Sequence, residues 1–312
     1  MVSQLALDKD FCFSFFHYRS CRGLLYRGAG GEGQYHYPAI KMGFWQDEKS
    51  CELFNPMPAS NATSRFSDRV ENYVRYRPGY PPEVMKALRT ECGLTSNHVI
   101  ADIASGTGIW TRMLLENGNP VVGVEPNAEM RAAGERLLEG FPKFCSVAGT
   151  AEATTLADAS VDFVTVAQAA HWFDRVQARR ELVRVLRPGG WLVLLWNERL
   201  TGSTEFLRDY EQLLLTYGTD YQDIRHEHTT DAVNEFFDPA PFQARVFEMR
   251  QEFDYAGIEG RLLSSSYAPG PEHPQHAPML RELRRVFDAN AVEGRATFEY
   301  KTRLYFGRLR QD

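Results

Sequence analysis

The 312-residue sequence lacks features that mark several classes of protein. Its five cysteines include no C-x-x-C pair, which favours free thiols in a reducing compartment over a disulfide framework. It has no apolar run near the ~20 residues that cross a bilayer, and no apolar segment followed by a signal-peptide cleavage site. We therefore expect a soluble cytoplasmic protein without membrane contact.

The sequence also lacks an excess of basic residues. Its 35 Lys and Arg against 41 Asp and Glu give a formal charge of −6, so no overall positive field attracts nucleic acid or anionic lipid. We expect no metal site either, because no cluster of acids or cysteines accompanies the histidines of its proline-containing loops. These histidines are His226, His228, His273 and His276.

Residues 1–60 show no regular helical or strand period and contain glycine- and proline-rich breakers. We expect a poorly ordered extension there, followed by one domain over residues 61–312. The aromatic and arginine-rich segment 11–27 leaves open a targeting peptide, a partner-binding segment, or an artefact of start-site choice.

From residue 66 the pattern predicts two helices joined by a proline-containing turn, and then a regular alternation. Short apolar strands are predicted at 98–103, 120–124, 144–147, 161–167 and 191–196, with helices at 109–116, 128–138 and 179–186 between them. Residues 187–190 are predicted to stop the last of these helices and form a turn. Strands that are apolar on both faces and separated by helices indicate a doubly wound α/β fold with a mostly parallel sheet. A helix at 205–216 and two antiparallel edge strands at 244–253 and 297–306 complete the prediction.

A glycine-rich turn follows the first predicted strand. Gly106 and Gly108 allow the backbone to approach a ligand closely at the start of a helix. Glu125 ends the second strand about twenty residues later, where a carboxylate can bind ribose hydroxyls. The alternative is that Glu125 only caps the helix that begins near Asn127.

Two further residues restrict the class of ligand that this turn can bind. Thr111 stands where a dinucleotide-binding fingerprint has its third glycine, so a pyrophosphate is not indicated. Asp102 would repel a phosphate, but it can attract an ammonium group. The pattern therefore favours a nucleoside that carries an amino group.

The segment from Asp102 to Gly108 resembles motif I of the class I S-adenosylmethionine-dependent methyltransferases, and Glu125 resembles their ribose-binding acid. The resemblance continues at 149–152, 161–164 and 186–190, and covers residues 66–309. It is strongest to the small-molecule branch of the type 11 family that includes trans-aconitate methyltransferase. It implies a seven-stranded sheet whose last strand is antiparallel. Ala104 departs from the pattern, since it replaces the first glycine of the motif.

The resemblance also implies site residues and a co-substrate, S-adenosyl-L-methionine, without a metal. Cofactor contacts are expected from Tyr73, Asp102, Ala104, Ser105, Gly106, Gly108, Glu125, Pro126, Ala151, Glu152 and Gln168. Substrate contacts are expected from Arg77, Trp172, Ser266 and Tyr267.

Catalysis of methyl transfer needs mainly positioning, because the sulfonium donor is already activated. A base is optional, and His171, just after the fourth strand, is the candidate. The alternative is that His171 and Trp172 only shape the pocket. Tyr73 can attract a sulfonium through its ring face, and Arg77 can hold a carboxylate, or both can be ordinary structural residues.

The sequence therefore predicts an enzyme that methylates a small-molecule acceptor, with a carboxylate or hydroxyl oxygen as the narrower expectation. Two alternatives remain: a non-catalytic cofactor-binding or scaffold protein, and a nicotinamide oxidoreductase, which Thr111 disfavours. The acceptor and the oligomeric state stay open.

Overall fold

The computed structural model describes residues 70–222 and 229–309. The predicted extension at 1–60 and the start of the predicted domain at residue 61 lie outside the described residues. Seven strands form one sheet in the order β3-β2-β1-β4-β5-β7-β6. They are β1 (Ile100–Ile103), β2 (Val121–Val124), β3 (Phe144–Val147), β4 (Val161–Ala167), β5 (Leu186–Arg199), β6 (Phe242–Phe253) and β7 (Ala296–Arg308).

Nine helices accompany these strands in the described ranges. They are α1 (Val70–Tyr76), α2 (Pro82–Glu91), α3 (Ile109–Glu116), α4 (Ala128–Leu137), α5 (Arg175–Val185), α6 (Glu205–Tyr217), α7 (Thr229–Phe237), α8 (Tyr255–Leu263) and α9 (His276–Asn290). A single 3₁₀ turn, Ala170–Trp172, follows β4.

The first five strands are parallel and are covered on both faces. Leu88 of α2 and Leu114 of α3 pack on one face of the sheet, and Leu182 of α5 and Phe236 of α7 pack on the other. All four residues of β1 are buried, as expected for a strand that lies between two helical layers. The predicted doubly wound α/β fold is confirmed.

The last two strands pair antiparallel, which confirms that prediction. β7 lies between β5 and β6 and is antiparallel to both. Beyond this end of the sheet, Tyr210 of α6, Ile258 of α8 and Leu283 of α9 pack with Phe298 of β7 in a separate apolar cluster.

The predicted turn at residues 187–190 is wrong, although the helix stop before it is confirmed. α5 ends at Val185, and β5 begins at once with Leu186. Leu186 pairs with Val161 and Trp191 pairs with Phe163, so the intervening residues form a bulge in an extended strand. The bulge accommodates Pro188, which lacks a backbone donor, and Gly189, whose φ is 78°.

Helices α1 and α8 approach each other closely at a glycine. A Cβ atom built on Gly260 would lie 2.0 Å from Cε2 of Tyr76. The absence of a side chain at Gly260 thus lets α1, which carries Tyr73 and leads into Arg77, lie against α8.

Among the helices described, none is both long and apolar enough to span a bilayer.

We expect Gly260→Ala to lower the free energy of unfolding by about 1 to 3 kcal/mol, because overpacking against Tyr76 outweighs the better helix propensity of alanine. Denaturant titration measures this change. Gly140→Ala is the matched control, since nothing lies within 4 Å of its added Cβ. An unchanged or higher stability of Gly260→Ala would show that the helix contact tolerates a side chain.

Candidate active site

A cavity of about 230 Å³ opens at the carboxyl ends of β1 and β4. In doubly wound sheets this edge is where ligands bind. Its remaining walls come from α1, the start of α3 and the loop after α8. The lining residues are Tyr73, Arg77, Pro78, Tyr80, Asp102, Ala104, Ser105, Gly106, Thr107, Ile109, Trp110, Ala167, Gln168, His171, Trp172, Ser266 and Tyr267.

The side chain of Glu125 holds the glycine-rich turn in place. Its carboxylate accepts hydrogen bonds from the backbone N–H of Gly106 (2.8 Å) and of Asn127 (2.9 Å). The side chain that caps the N-terminus of α4 is that of Asn127, which accepts a hydrogen bond from the Met130 N–H. Glu125 therefore does more than cap a helix: it ties the turn after β1 to the end of β2.

The turn itself is built from left-handed backbone. Gly106 has φ 57° and Gly108 has φ 85°. Ala104 has φ 55°, a conformation that costs a residue with a side chain roughly 1 to 2 kcal/mol. Ala104 thus takes the position of the usual motif glycine, and its backbone carries this strain.

Asp102 is a buried acid in the floor of the cavity. Its two carboxylate oxygens accept hydrogen bonds from the hydroxyls of Thr111 (2.5 Å) and Thr165 (2.9 Å). Burial raises the pKa of Asp102 to about 7, against the opposing effect of these two bonds. The carboxylate is thus held in place by two hydroxyls, and no cation pairs with it among the residues that the structure describes.

The end of β4 forms the second wall. Gln168, with φ 62°, accepts a hydrogen bond from the Asn197 N–H through Oε1 (3.1 Å), which joins the ends of β4 and β5. His171 and Trp172 follow on the 3₁₀ turn. Burial, together with the charge of Arg175, lowers the pKa of His171 to about 4, so its imidazole is neutral near pH 7.

Helix α1 contributes the third wall. Arg77 donates through Nη2 to the carbonyl oxygen of Ser264 (3.0 Å), and its guanidinium lies 4.9 Å from the ring centre of Tyr73. Tyr80 packs edge-on against Trp110, with 5.3 Å between ring centres. These contacts connect the segment that follows α1 to both α3 and the C-terminal end of α8.

The structure brings most of the predicted site residues together. All the predicted catalytic and substrate residues line the cavity, as do Tyr73, Asp102, Ala104, Ser105, Gly106 and Gln168. The others lie outside that lining. Gly108 is the residue before α3, Glu125 and Ala151 are buried, Pro126 is exposed, and Glu152 accepts a hydrogen bond from the Asp174 N–H.

Sequence reasoning missed several polar residues around the cavity. Thr107 and Trp110 line it, while Arg199 and Arg261 lie buried beside its Tyr267 wall. For Arg261 a signal existed, because it lies three residues after Ile258 and so shares the face of the helix that carries this apolar residue. An arginine on an apolar face indicates a buried cation.

Comparison with known proteins identifies the central part of this fold. A family described as "Methyltransferase domain" matches residues 101–194, from β1 into β5. Residues 101–194 of the chain form a methyltransferase domain. The narrower resemblance to the trans-aconitate branch stays a prediction.

Relatives of the methyltransferase domain are known in several organisms. An uncharacterized methyltransferase of Mycobacterium tuberculosis is 43% identical over 134 residues, which cover 43% of this chain and 52% of that protein. One of Schizosaccharomyces pombe is 33% identical over 150 residues, covering 48% of this chain and 58% of that protein. The chain thus matches these curated relatives over little more than half of their length.

Solved structures confirm the fold. A candidate type II methyltransferase from Anaeromyxobacter dehalogenans superposes with a TM-score of 0.56 at 22% identity, covering 76% of this chain and all of that one. A candidate methyltransferase from an antibiotic biosynthesis pathway of Anabaena variabilis gives 0.54 at 21% identity, covering 78% and 100%. At this identity the likeness supports the fold alone.

The cavity residues fit S-adenosylmethionine, the co-substrate that the methyltransferase domain implies. Three buried side-chain atoms of the lining have no hydrogen-bond partner within the described ranges: Arg77 Nε, Thr107 Oγ1 and Trp110 Nε1. Buried polar atoms are normally paired, so these donors suit a polar ligand. Asp102 offers the complementary acceptor for an ammonium.

We expect Thr107→Val and Thr111→Val to have opposite effects on stability. Thr107→Val removes a buried hydroxyl without a partner and should raise the free energy of unfolding by up to about 1 kcal/mol. Thr111→Val removes the hydroxyl bound to Asp102 and should lower it by about 1 to 3 kcal/mol. Denaturant unfolding of the ligand-free protein measures both changes.

If the unpartnered hydroxyl faces the ligand, Thr107→Val should also weaken binding of S-adenosylhomocysteine. A Thr107→Val protein that is both less stable and unchanged in binding would contradict this assignment.

Proposed function

We propose that this protein transfers a methyl group from S-adenosylmethionine to a small-molecule acceptor, at a carboxylate or hydroxyl oxygen. The observation that carries the proposal is that the buried carboxylate of Asp102 and three unpartnered donors line one cavity at the methyltransferase domain. A nucleoside amino acid carries both an ammonium and a carboxylate, which suit this combination of acceptor and donors.

The proposed roles follow from these positions. S-adenosylmethionine, when bound, supplies a methyl group already activated on a sulfonium. Asp102 would hold the ammonium group, and Glu125 would use its remaining lone pairs for the ribose hydroxyls. Ala151 and Glu152 are proposed to contact the adenine. Protein groups would thus contribute orientation and exclusion of water, which methyl transfer needs most.

The acceptor side of the cavity supports a small and polar substrate. Arg77, Trp172, Ser266 and Tyr267 line it together with His171. We propose a free, cytoplasmic acceptor; the scattered cysteines favour a reducing compartment.

Calorimetric titration with S-adenosylhomocysteine tests the cofactor, with NAD and NADP as parallel ligands. We expect selective binding that Glu125→Ala weakens, since that change also releases the glycine turn. A screen of small carboxylic acids and hydroxyl compounds with labelled methyl donor then tests turnover. Binding without turnover would favour a scaffold protein, and no binding by folded protein would exclude the proposal.

Cofactor affinity should depend on pH through Asp102. Its pKa of about 7 means that the ligand-free carboxyl is protonated at low pH and must lose that proton to bind an ammonium. We expect affinity for S-adenosylhomocysteine to be highest near pH 8 and to fall by roughly ten- to thirtyfold at pH 5.5. Calorimetry across this range measures the change.

Asp102→Asn is the control for this dependence. It should bind weakly at every pH and should lose most of the slope, because the amide does not titrate. An equal slope in Asp102→Asn would show that another group controls the affinity.

A further inference from the structure

The connection between α1 and α2 forms one wall of the ligand cavity. It comprises residues 77–81, and Arg77, Pro78 and Tyr80 among them line the cavity. Pro78 and Pro81 have no backbone N–H, so the connection has few donors with which to pair with a neighbouring strand. Its position therefore depends on contacts that come from other parts of the chain.

Among the residues that the structure describes, two side-chain hydrogen bonds fix this connection. Arg77, at its start, donates to the carbonyl oxygen of Ser264 at the end of α8 (3.0 Å). Asn197 of β5 donates through Nδ2 to the carbonyl oxygen of Gly79 (2.8 Å). Asn197 lies outside the cavity lining, so any effect it has on a ligand passes through the residues that it holds.

Hydrogen-bond chemistry fixes the orientation of the Asn197 amide. A backbone carbonyl can only accept, so the Asn197 atom that faces Gly79 must be the amide nitrogen. The amide oxygen accepts a hydrogen bond from the hydroxyl of Thr302 on β7 (2.6 Å). Thr302 is fully buried, and the amide is therefore held between β7 and the α1–α2 connection.

The backbone of Asn197 is bonded to the opposite wall of the cavity. Its N–H donates to Oε1 of Gln168 (3.1 Å), and its carbonyl oxygen accepts from Nε2 of Gln168 (3.4 Å). Gln168 lines the cavity just after β4. Asn197 thus joins two walls, since its backbone binds the β4 wall and its side chain binds the α1–α2 connection.

We propose that Asn197 is a positioning residue for the methyl acceptor, because it sets where the α1–α2 connection lies relative to the β4 wall. This inference rests on the proposed function for the identity of the ligands. Gly79, which Asn197 holds, is two residues from Arg77, the proposed acceptor contact. Without this bond the side-chain anchor of the connection that remains is Arg77 itself. Arg77 then shifts with the segment that it is meant to fix.

Two substitutions remove the donor in different ways. Asn197→Asp replaces Nδ2 by oxygen at nearly unchanged volume, so it keeps the acceptor for Thr302 but places two acceptors against each other at Gly79. Asn197→Ala removes the donor without adding a charge. A result that both variants share is therefore due to the lost hydrogen bond and not to the new carboxylate.

Hydrogen exchange of the ligand-free protein, followed by mass spectrometry, tests the anchoring. The Arg77 N–H ends α1 with a hydrogen bond to the Tyr73 carbonyl oxygen (3.1 Å), and it exchanges when this end of the helix opens. We expect peptides that cover residues 73–80 to exchange roughly tenfold faster in both Asn197 variants, because the lost bond favours local opening.

Asn119→Asp is the matched control. The Asn119 side chain is also buried and donates through Nδ2 to two backbone carbonyls, those of Thr95 and His98 (both 2.8 Å). It precedes β2, at the amino ends of the parallel strands, whereas the cavity opens at their carboxyl ends. Asn119→Asp should leave exchange over residues 73–80 unchanged.

Steady-state kinetics with an acceptor from the screen tests the positioning role. Both Asn197 variants should raise the KM for the acceptor by about tenfold or more. Their affinity for S-adenosylhomocysteine should change by less than about threefold, because Asp102 and Glu125, the proposed cofactor contacts, keep their own hydrogen bonds. Asn119→Asp should change neither quantity, since a general loss of stability does not separate acceptor from cofactor.

Unchanged exchange over residues 73–80 in folded Asn197 variants would overturn the proposal. Faster exchange with an unchanged acceptor KM, or an equal rise of that KM in Asn119→Asp, would also overturn it. If both Asn197 variants failed to fold while Asn119→Asp folded, the role of Asn197 would be structural. Failure of the parent protein to bind S-adenosylhomocysteine would refute the proposed function instead, and the exchange experiment, which needs no ligand, would still decide whether Asn197 anchors the connection.

Discussion

The carboxylate of Glu125 is the constraint on which the site depends. It accepts hydrogen bonds from the Gly106 and Asn127 N–H groups, and so joins the turn after β1, the end of β2 and the start of α4. This turn is strained at Ala104, whose backbone is left-handed, and contacts such as that of Glu125 support it. Without it, the edge of the sheet would not present a shaped ligand cavity.

The cavity is polarised by buried charges. Asp102 lines it, held by two threonine hydroxyls, and burial makes its ionised form costly. Arg77 also lines it, and neither Arg77 nor the nearby Arg261 has a carboxylate partner within the described ranges. Burial strengthens the electrostatic effect of the Asp102 carboxylate and of the two guanidinium groups, because low-dielectric surroundings screen charges poorly. A zwitterionic cofactor would offset both kinds of charge.

The sequence predicted the bounds of a strand well where the strand coincides with a single short run of residues between breakers. β3 and β4 match their predicted ranges because each is a short run between clear breakers. β5 extends from Leu186 to Arg199, beyond its predicted 191–196, since the Pro188–Gly190 segment that resembles a turn forms a bulge between strand pairs. Pairing with neighbouring strands, which composition does not encode, decided this difference.

The sequence by itself determined the doubly wound fold, the glycine turn and the place of Asp102 and Glu125, because these depend on local periodicity and on which residues follow each strand. Only the tertiary structure decided that Arg77, Arg199 and Arg261 surround Tyr267. Arg77 and Arg199 lie 122 positions apart in the chain, and Arg199 and Arg261 lie 62 positions apart, so no local pattern relates them. Their proximity arises from tertiary packing, in which α1 lies against α8.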